Sequence, residues 1–367
     1  ELKQQNYQPF DYILSHGVYT WVAENSKQAI REFVAENLAS TGVFSLSYNC
    51  KAGWAELDNL VEIFRVFATQ HADHQIEPDH SPTLEKIKAL FRKNRGFFKA
   101  NGRAAEYLRQ LIDDEVDPKY LFHEFAHQSW RSLYATEVMT DMSGINLGFA
   151  GSANLIDNFD ELALDADLLD AVQPIKSLAS RHSVKDLMLN TTLRTDIYSA
   201  DVQVISMDEC LDKYGDQIFI LLKDPALWEF DAPLGEHKQI SLDKERHGRL
   251  LSVVKEGGKS LRELCAFGAQ LDLSPQQMLE HLVVLIALEY LGFAANQRPD
   301  FEYFTQLNSK LATLSLAGHR ELKYLISPHT RTTVNADRAD LLFYACGIPD
   351  DAYQLAECAL EYCYANQ

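Results

Sequence analysis

The segment FDYILSHGVYTWV, residues 10–22, decides the fold, because it begins as an apolar strand and ends in a polar turn. The strand pattern stops at His16-Gly17. Apolar side chains then recur at helical spacing over residues 26–38, and a second apolar strand pattern follows at residues 43–48. Strand, helix and strand with short connections predict a right-handed parallel crossover and therefore part of an α/β sheet.

The ends of these two strands are the expected binding region. Ligands of open α/β sheets bind beyond the carboxyl ends of the strands. The two ends, residues 16–21 and residues 49–54, carry aromatic and polar side chains. We therefore look for functional residues there first.

The next part of the chain has mainly helical patterns. Candidate helices cover residues 60–69, 81–100, 104–113 and 119–139, and strand patterns return at residues 145–150 and 193–204. The order predicts an all-helical insertion inside an α/β domain.

The C-terminal part has helical patterns near residues 244–255, 260–268 and 274–291, after a linker-like stretch at 234–237. With an apolar strand pattern around Phe293 they resemble a winged helix. A DNA-reading helix normally carries basic residues for phosphates, whereas residues 274–291 contain no Lys or Arg. We therefore expect a protein-contact or packing module. Two more helices are expected in residues 338–367.

Composition narrows the function classes. With 34 basic and 53 acidic residues, the 367-residue chain has a net charge of −19, which disfavours binding to nucleic acid or anionic membranes. No long apolar span or signal peptide occurs. The six cysteines are scattered without a CxxC pair, so reduced thiols and a cytoplasmic location are expected. The chain starts at Glu1 and enters a strand pattern at Phe10, from which we expect that an upstream segment is missing.

Several strings resemble one protein family. The segment at 10–22, followed by Ser47-Tyr48-Asn49 and Gly53-Trp54, resembles the fourth and fifth strands of bacterial methyltransferases that carry a predicted methyltransferase regulatory domain. YLFHE at residues 120–124 is similar to a string in the helical insertion of that family, and residues 186–196 resemble a later strand string more loosely. Ala52 stands where the family string has Pro.

This resemblance implies a class I S-adenosylmethionine-dependent methyltransferase. The implied fold class is α/β plus α, with a partial Rossmann-like methyltransferase sheet, an all-helical insertion and a C-terminal winged-helix-like domain. The expected boundaries are 1–56 for the second part of the Rossmann-like methyltransferase core, 57–141 for the helical regulatory or insertion domain, 142–204 for the remaining strands of that core and 205–367 for the C-terminal winged-helix-like domain. The C-terminal region is similar to relatives that methylate lysines of outer-membrane proteins. No Gly-x-Gly-x-Gly turn occurs in the chain, so the main cofactor-binding loop is expected to lie outside it.

Residue roles follow from the chemistry of methyl transfer. The reaction needs a positioned nucleophile and a sulfonium, and an aromatic face stabilises a cation by about 0.5–2 kcal/mol. His16 either accepts a proton from an amine or hydrogen-bonds the amino-acid part of the cofactor. The expected site residues are His16 and Tyr19 for catalysis, Ser15, His16 and Gly17 for S-adenosyl-L-methionine, and Trp21, Tyr48, Asn49 and Trp54 for the substrate. For Trp21 and Trp54, packing of the insertion against the sheet is the competing interpretation.

Two other functions remain open. His123-Glu124-Phe125-Ala126-His127 has the H-E-x-x-H spacing of a zinc protease on a helix, but no third ligand has a recognised spacing, and we expect no metal site. The second is a non-catalytic fragment that recruits substrate or dimerises. The expected partner is a protein or small-molecule methyl acceptor, with no nucleic acid or membrane; a homodimer remains open.

Overall fold

The structure, a computed structural model, describes residues 8–69, 80–114, 116–234, 238–295, 300–319 and 322–346. The chain divides into two compact units, Glu1–Val204 and Ile205–Gln367.

The first unit contains a small sheet and many helices. Its strands are β1 (Phe10–Ser15), β2 (Leu38–Asn49), β3 (Gly148–Ser152) and β4 (Leu193–Ser199). Its helices are α1 (Glu24–Asn37), α2 (Lys51–Trp54), α3 (Asp58–Thr69), α4 (Ser81–Arg92), α5 (Phe97–Ala100), α6 (Gly102–Asp113), α7 (Pro118–Phe125), α8 (Ala135–Ser143), α9 (Asp160–Ala163), α10 (Ala166–Val172) and α11 (Leu178–Leu189).

The four strands form one sheet in the order β1-β2-β4-β3. β1 and β2 are parallel, with Ile13 opposite Phe44, and the predicted crossover through α1 is confirmed. β4 runs antiparallel to both of its neighbours, and its Arg194 lies opposite Tyr48. The sheet therefore brings the carboxyl ends of β1 and β2 to one edge and places the start of β4 beside them.

Two apolar cores stabilise this unit. One joins the sheet to α8 and includes the buried side chains of Phe44, Leu46, Val138 and Met142. Burying one large apolar side chain contributes about 1.5–3 kcal/mol. The other core lies within the helices α3 to α7 and includes Phe64. The predicted helical insertion thus has a core of its own.

The predicted helix at residues 119–139 is wrong in its length. The structure has α7 and α8 instead, separated by residues 126–134. The backbone of Leu133 bonds to the end of β2 and the start of α2. Leu133 N–H donates to the Asn49 carbonyl, and Lys51 N–H donates to the Leu133 carbonyl. The predicted helix at residues 81–100 is also divided, into α4 and α5, and Gly96 adopts a φ of 54° at the break.

The second unit has shorter strands. They are β5 (Ile218–Leu221), β6 (Asp231–Leu234), β7 (Lys238–Ser241), β8 (Lys259–Ser260), β9 (Leu291–Phe293), β10 (Tyr324–Ile326) and β11 (Thr333–Asn335). Its helices are α12 (Met207–Tyr214), α13 (Lys244–Lys255), α14 (Leu261–Ala269), α15 (Pro275–Ala287), α16 (Phe301–Leu316) and α17 (Arg338–Ala345).

Helices α13, α14 and α15 lie where the sequence predicts them. Ser260 and Ser274 cap α14 and α15 through reciprocal bonds with Glu263 and Gln277. The strands β8, β5 and β9 form an antiparallel sheet in that order. The winged-helix interpretation of these elements remains a prediction.

Other expectations for this unit meet the limits of the described residues. β6 and β7 pair antiparallel on either side of the linker expected at 234–237, of which residues 235–237 lie outside the described residues. The second tail helix also lies outside them. Cys50, Cys210 and Cys265 are free thiols, as expected, whereas Cys346 is disulfide-bonded. Within the described ranges, no helix combines the length and the apolar character needed to cross a membrane.

Candidate functional site

The candidate site lies at the carboxyl ends of β1 and β2, where backbone and side-chain bonds hold the two ends together. Thr20 Oγ1 accepts a hydrogen bond from Asn49 N–H over 2.8 Å. Arg131 N–H donates to the Thr20 carbonyl and Leu133 N–H donates to the Asn49 carbonyl, each over 2.9 Å. The segment between α7 and α8 thus ties both strand ends and fixes their spacing.

His16 is an exposed residue directly after β1. Its Nδ1 lies 3.2 Å from Ser47 Oγ, and Gly17 N–H donates to the same oxygen over 2.7 Å. Gly17 has a φ of 67°, a conformation that favours glycine and that turns the chain sharply after the strand. Beside it, the buried Ser15 Oγ has no hydrogen-bond partner among the described residues. Within the described part of the chain, Ser15 Oγ is therefore an unpartnered polar atom in the interior, whereas the exposed ring of His16 is available to a ligand.

Tyr19 is fully buried, and its phenol belongs to a network under the strand ends. Its hydroxyl donates to Asp141 Oδ2 over 2.8 Å, and Arg31 Nη1 donates to the phenol oxygen over 2.7 Å. Arg31 also donates to Asp141 over 3.1 Å and to Glu24 over 2.7 Å. Burial, together with the bond to Asp141, raises the pKa of Tyr19. Tyr19 is therefore a neutral hydrogen-bond donor held in one position.

Lys27 lies beside this network. Its Nζ is 5.4 Å from the centroid of the Tyr19 ring, and the residue is buried. Burial lowers the pKa of Lys27, and the positive charge of Arg131 lowers it further. The ring face of Tyr19 is thus already in contact with a cation of the chain.

Tyr48 is also fully buried, in a second network beneath β4. Its hydroxyl donates to Asp196 Oδ2 over 2.8 Å, and Arg194 Nη2 donates to Asp196 Oδ1 over 2.8 Å. Burial raises the pKa of Tyr48. Neither Tyr48 nor Tyr19 reaches solvent. The catalytic role of Tyr19 and the substrate-binding role of Tyr48 stay predictions.

Asn49 differs from these tyrosines. It is partly exposed, and only its backbone is engaged, so its side-chain amide forms no hydrogen bond with the described residues. Its predicted role in orienting a substrate therefore has an available donor and acceptor.

Trp21 and Trp54 pack against the helical core. The Trp21 ring lies 5.3 Å from the ring of His123 and 6.1 Å from that of His127. The Trp54 ring lies 5.0 Å from that of Trp130. These contacts are those expected if the tryptophans join the insertion to the sheet. Both tryptophans are only partly buried, and their role in substrate binding stays a prediction.

The H-E-x-x-H string does not lie on a single helix, because α7 ends at Phe125 and His127 follows it. The nearby acidic residues Asp141 and Glu137 are engaged elsewhere: Asp141 with Tyr19, and Glu137 with Arg131 over 2.7 Å. Among the described residues, no group of three or more His, Cys, Asp or Glu side chains could hold a metal ion.

Sequence reasoning missed four residues of this region. Ser47 and Thr20 are neighbours of predicted residues in the strings SYN and HGVYTWV, and their hydroxyl groups were a weak signal. Arg31 and Asp141 gave no signal for this network, since they lie far apart in the chain and meet only at Tyr19.

Comparison with known proteins shows what this chain is similar to. The family model of the predicted methyltransferase regulatory domain matches residues 117–199. An uncharacterised protein of Synechocystis sp. is 25% identical over 348 residues, which cover 93% of this chain and 67% of the relative. An uncharacterised protein of Rickettsia prowazekii is 30% identical over 125 residues, which cover 33% of this chain and 47% of the relative.

Solved structures share the fold. PKMT2 from Rickettsia typhi matches with a TM-score of 0.59 and 16% identity over 98% of this chain and 73% of that protein. The same protein in complex with AdoHcy matches with a TM-score of 0.60 and 17% identity, covering 98% of this chain and 74% of that protein. Together, these comparisons show that residues 117–199 match the predicted methyltransferase regulatory domain and that the chain shares the fold of PKMT2.

Proposed function

We propose that this chain takes part in S-adenosylmethionine-dependent methyl transfer, with lysine amines of a protein as the methyl acceptors. The observation that carries the proposal is the set of polar groups at the carboxyl ends of two parallel strands: the accessible His16 ring and Asn49 amide, and the buried Ser15 Oγ, which is unpartnered among the described residues. In an open α/β sheet this edge is the expected ligand site. The fold shared with PKMT2, whose complex contains AdoHcy, supports the same assignment.

The strand-end residues fit part of a cofactor site. The buried Ser15 hydroxyl lacks a partner among the described residues, so a bound polar group would satisfy it. A Cβ placed on Gly17 would meet no atom within 4 Å, so the backbone there is open to a ligand. S-adenosylmethionine, when bound, supplies a methyl group on a sulfonium to an in-line nucleophile. In this assignment Ser15, His16 and Gly17 hold one side of it.

The remaining residues position the acceptor. The Asn49 amide accepts a hydrogen bond from the incoming amine, and the fixed spacing of Thr20 and Asn49 keeps that amide in place. The partly buried rings of Trp21 and Trp54 exclude water from the acceptor's alkyl chain. Because Tyr19 and Arg31 are held below the strand ends, they stabilise the loop that carries these groups.

A non-catalytic role in recruiting substrate is the second candidate. The edge strand β1 exposes 72% of Tyr12 and 74% of Leu14, which is unusual for apolar side chains of a strand. The chain also lacks a Gly-x-Gly-x-Gly turn. Both observations favour a chain that binds a partner at this sheet.

Titration calorimetry with S-adenosylhomocysteine separates the two candidates. Catalytic participation predicts a saturable heat of binding in the wild type. In Ser15→Ala the affinity for S-adenosylhomocysteine should be about tenfold lower. Asn25→Ala, a change at an exposed residue of α1, is the matched control and should bind as the wild type does. Transfer of a labelled methyl group to lysine-rich protein, lost in Asn49→Ala, then tests the acceptor site. Absence of heat in the wild type would reject cofactor binding by this chain and favour the recruiting role.

We also propose that the second unit is a winged-helix-like protein-contact module of a cytoplasmic protein. Its helix α15 contains no Lys or Arg, so it offers no phosphate contacts to nucleic acid. Gel-shift titration with duplex DNA at low salt is the direct check, and a retarded band would contradict this proposal.

A further inference from the structure

The contact between His16 and Ser47 determines more than the position of the ring. The Ser47 side chain is buried, and its hydroxyl oxygen accepts the Gly17 N–H over 2.7 Å. The hydroxyl also has one proton to donate. Among the residues that the structure describes, the acceptor within reach of that proton is His16 Nδ1, at 3.2 Å.

The location of this proton fixes the tautomer of His16. A buried donor without an acceptor is costly, so the Ser47 proton is directed to Nδ1. A nitrogen that accepts a hydrogen bond carries no proton of its own, and a neutral imidazole has a single N–H. The proton of neutral His16 therefore lies on Nε2, the nitrogen that does not contact Ser47.

We propose that Ser47 is a positioning residue that holds His16 as the Nε2–H tautomer, so that His16 offers a hydrogen-bond donor to an acceptor oxygen of a bound ligand. The role of His16 as ligand contact rests on the function proposed above. The ligand group that fits is a carboxylate or carbonyl oxygen, and an ammonium group does not fit because it has no acceptor.

This assignment separates the two roles that the sequence leaves open for His16. A base that deprotonates an amine through Nε2 needs a free lone pair there, and in the held tautomer that nitrogen carries the proton. Removal of an amine proton therefore falls to another group or to solvent, while His16 orients the ligand.

Long-range ¹H–¹⁵N correlation spectroscopy of the histidine rings tests the tautomer without any assumption about activity. The chain has 12 histidines, and the signal that disappears in His16→Gln identifies the ring. We expect one tautomer, Nε2–H, in the wild type and in Ser47→Thr, which keeps the hydroxyl. In Ser47→Ala we expect a mixture of both tautomers. A wild-type ring protonated on Nδ1, or a tautomer ratio unchanged in Ser47→Ala, would overturn the proposal.

Two further variants test the donor role by function. Gln keeps an N–H donor near the Nε2 position but is not a base, so S-adenosylhomocysteine affinity or methyl transfer in His16→Gln should exceed that in His16→Ala by roughly tenfold. Loss of a general base typically costs 10²–10⁴-fold, and it would reduce transfer equally in both variants. Equal losses in both would therefore overturn the donor role. If the wild type shows neither binding nor transfer, the proposed function fails, while the tautomer measurement still decides the role of Ser47.

Discussion

Removing the guanidinium of Arg194 should be among the most damaging single changes in the first unit. Arg194 Nη1 donates to Asp186 over 2.8 Å, and Nη2 donates to Asp196 over 2.8 Å, with Nε of Arg194 also within 3.0 Å of Asp196. All three side chains are buried. Arg194→Met keeps much of the side-chain volume and leaves two carboxylates without their cation.

The size of the effect follows from what each carboxylate retains. Removing one partner of a buried ion pair typically costs about 3–5 kcal/mol. Asp196 keeps the hydroxyl groups of Tyr48 and Tyr198 at 2.8 and 3.2 Å, which limits its loss. Asp186 already has one oxygen without a hydrogen-bond partner among the described residues, so it has less to compensate for the loss of Arg194. We therefore expect a loss of about 4 kcal/mol, out of a typical domain stability of about 5–15 kcal/mol.

Urea unfolding followed by tryptophan fluorescence measures this loss. Three of the four tryptophans lie in the first unit, so a Trp228→Phe background makes the signal report on that unit. With an m-value of about 2 kcal/mol per M, the midpoint should fall by roughly 2 M. Arg131→Met is the matched control, because Arg131 is 56% exposed and its pair with Glu137 should contribute only about 0–1 kcal/mol.

The pH dependence of the variant gives an independent check. Burial already raises the pKa of Asp186, and loss of the neighbouring cation raises it further. When the pKa of a carboxyl group is raised in the folded state, the folded protein becomes less stable as the pH increases. The difference in free energy of unfolding between the wild type and Arg194→Met should therefore shrink on acidification. A midpoint shift below about 0.5 M at neutral pH would refute the assignment of this network as a major stabilising element of the unit.

Two further predictions concern the same unit. Burial lowers the pKa of His182 to about 3, so the unfolded chain binds a proton below about pH 6.5 that the folded chain excludes. At pH 4.5, His182→Leu should therefore retain about 2–3 kcal/mol more of its neutral-pH stability than the wild type does. Urea titrations at the two pH values measure this, and equal losses in both proteins would contradict it. A Cβ on Gly53 would lie 2.5 Å from the Thr191 carbonyl oxygen, so Gly53→Ala should cost about 1–3 kcal/mol, whereas Gly102→Ala, where a Cβ meets nothing within 4 Å, should be neutral or stabilising in thermal melts.

The parts of the fold that the sequence predicts well are those with strong local periodicity. The apolar run of β1, the helical spacing of α1 and the second apolar run are each visible within about a dozen residues. The parallel pairing then follows because a helix connects the two strands. The caps of α14 and α15 are equally local, because Ser260 and Ser274 bond residues three positions later.

The failures have a common physical cause, which is pairing between distant segments. Residues 126–134 have a helical apolar pattern, but the backbone N–H groups of Arg131 and Leu133 bond to Thr20 and Asn49, which lie outside any local pattern. The burial of Tyr19 likewise depends on Asp141, 122 positions away. The positions of Tyr19 and Tyr48 at the predicted strand ends suggested aromatic rings facing a ligand; both phenols belong to interior networks, and their roles in the site stay predictions.

These long-range bonds also explain why the regulatory-domain match cannot be separated from the site. The matched residues 117–199 contain β3 and β4, so they supply half of the four-stranded sheet. They also contain Arg131 and Leu133, whose N–H groups hold the ends of β1 and β2. A structural change in this region would therefore alter the spacing between Thr20 and Asn49 directly, without any intermediate element. Arg131 and Leu133 are thus residues of the matched region whose backbone directly contacts Thr20 and Asn49.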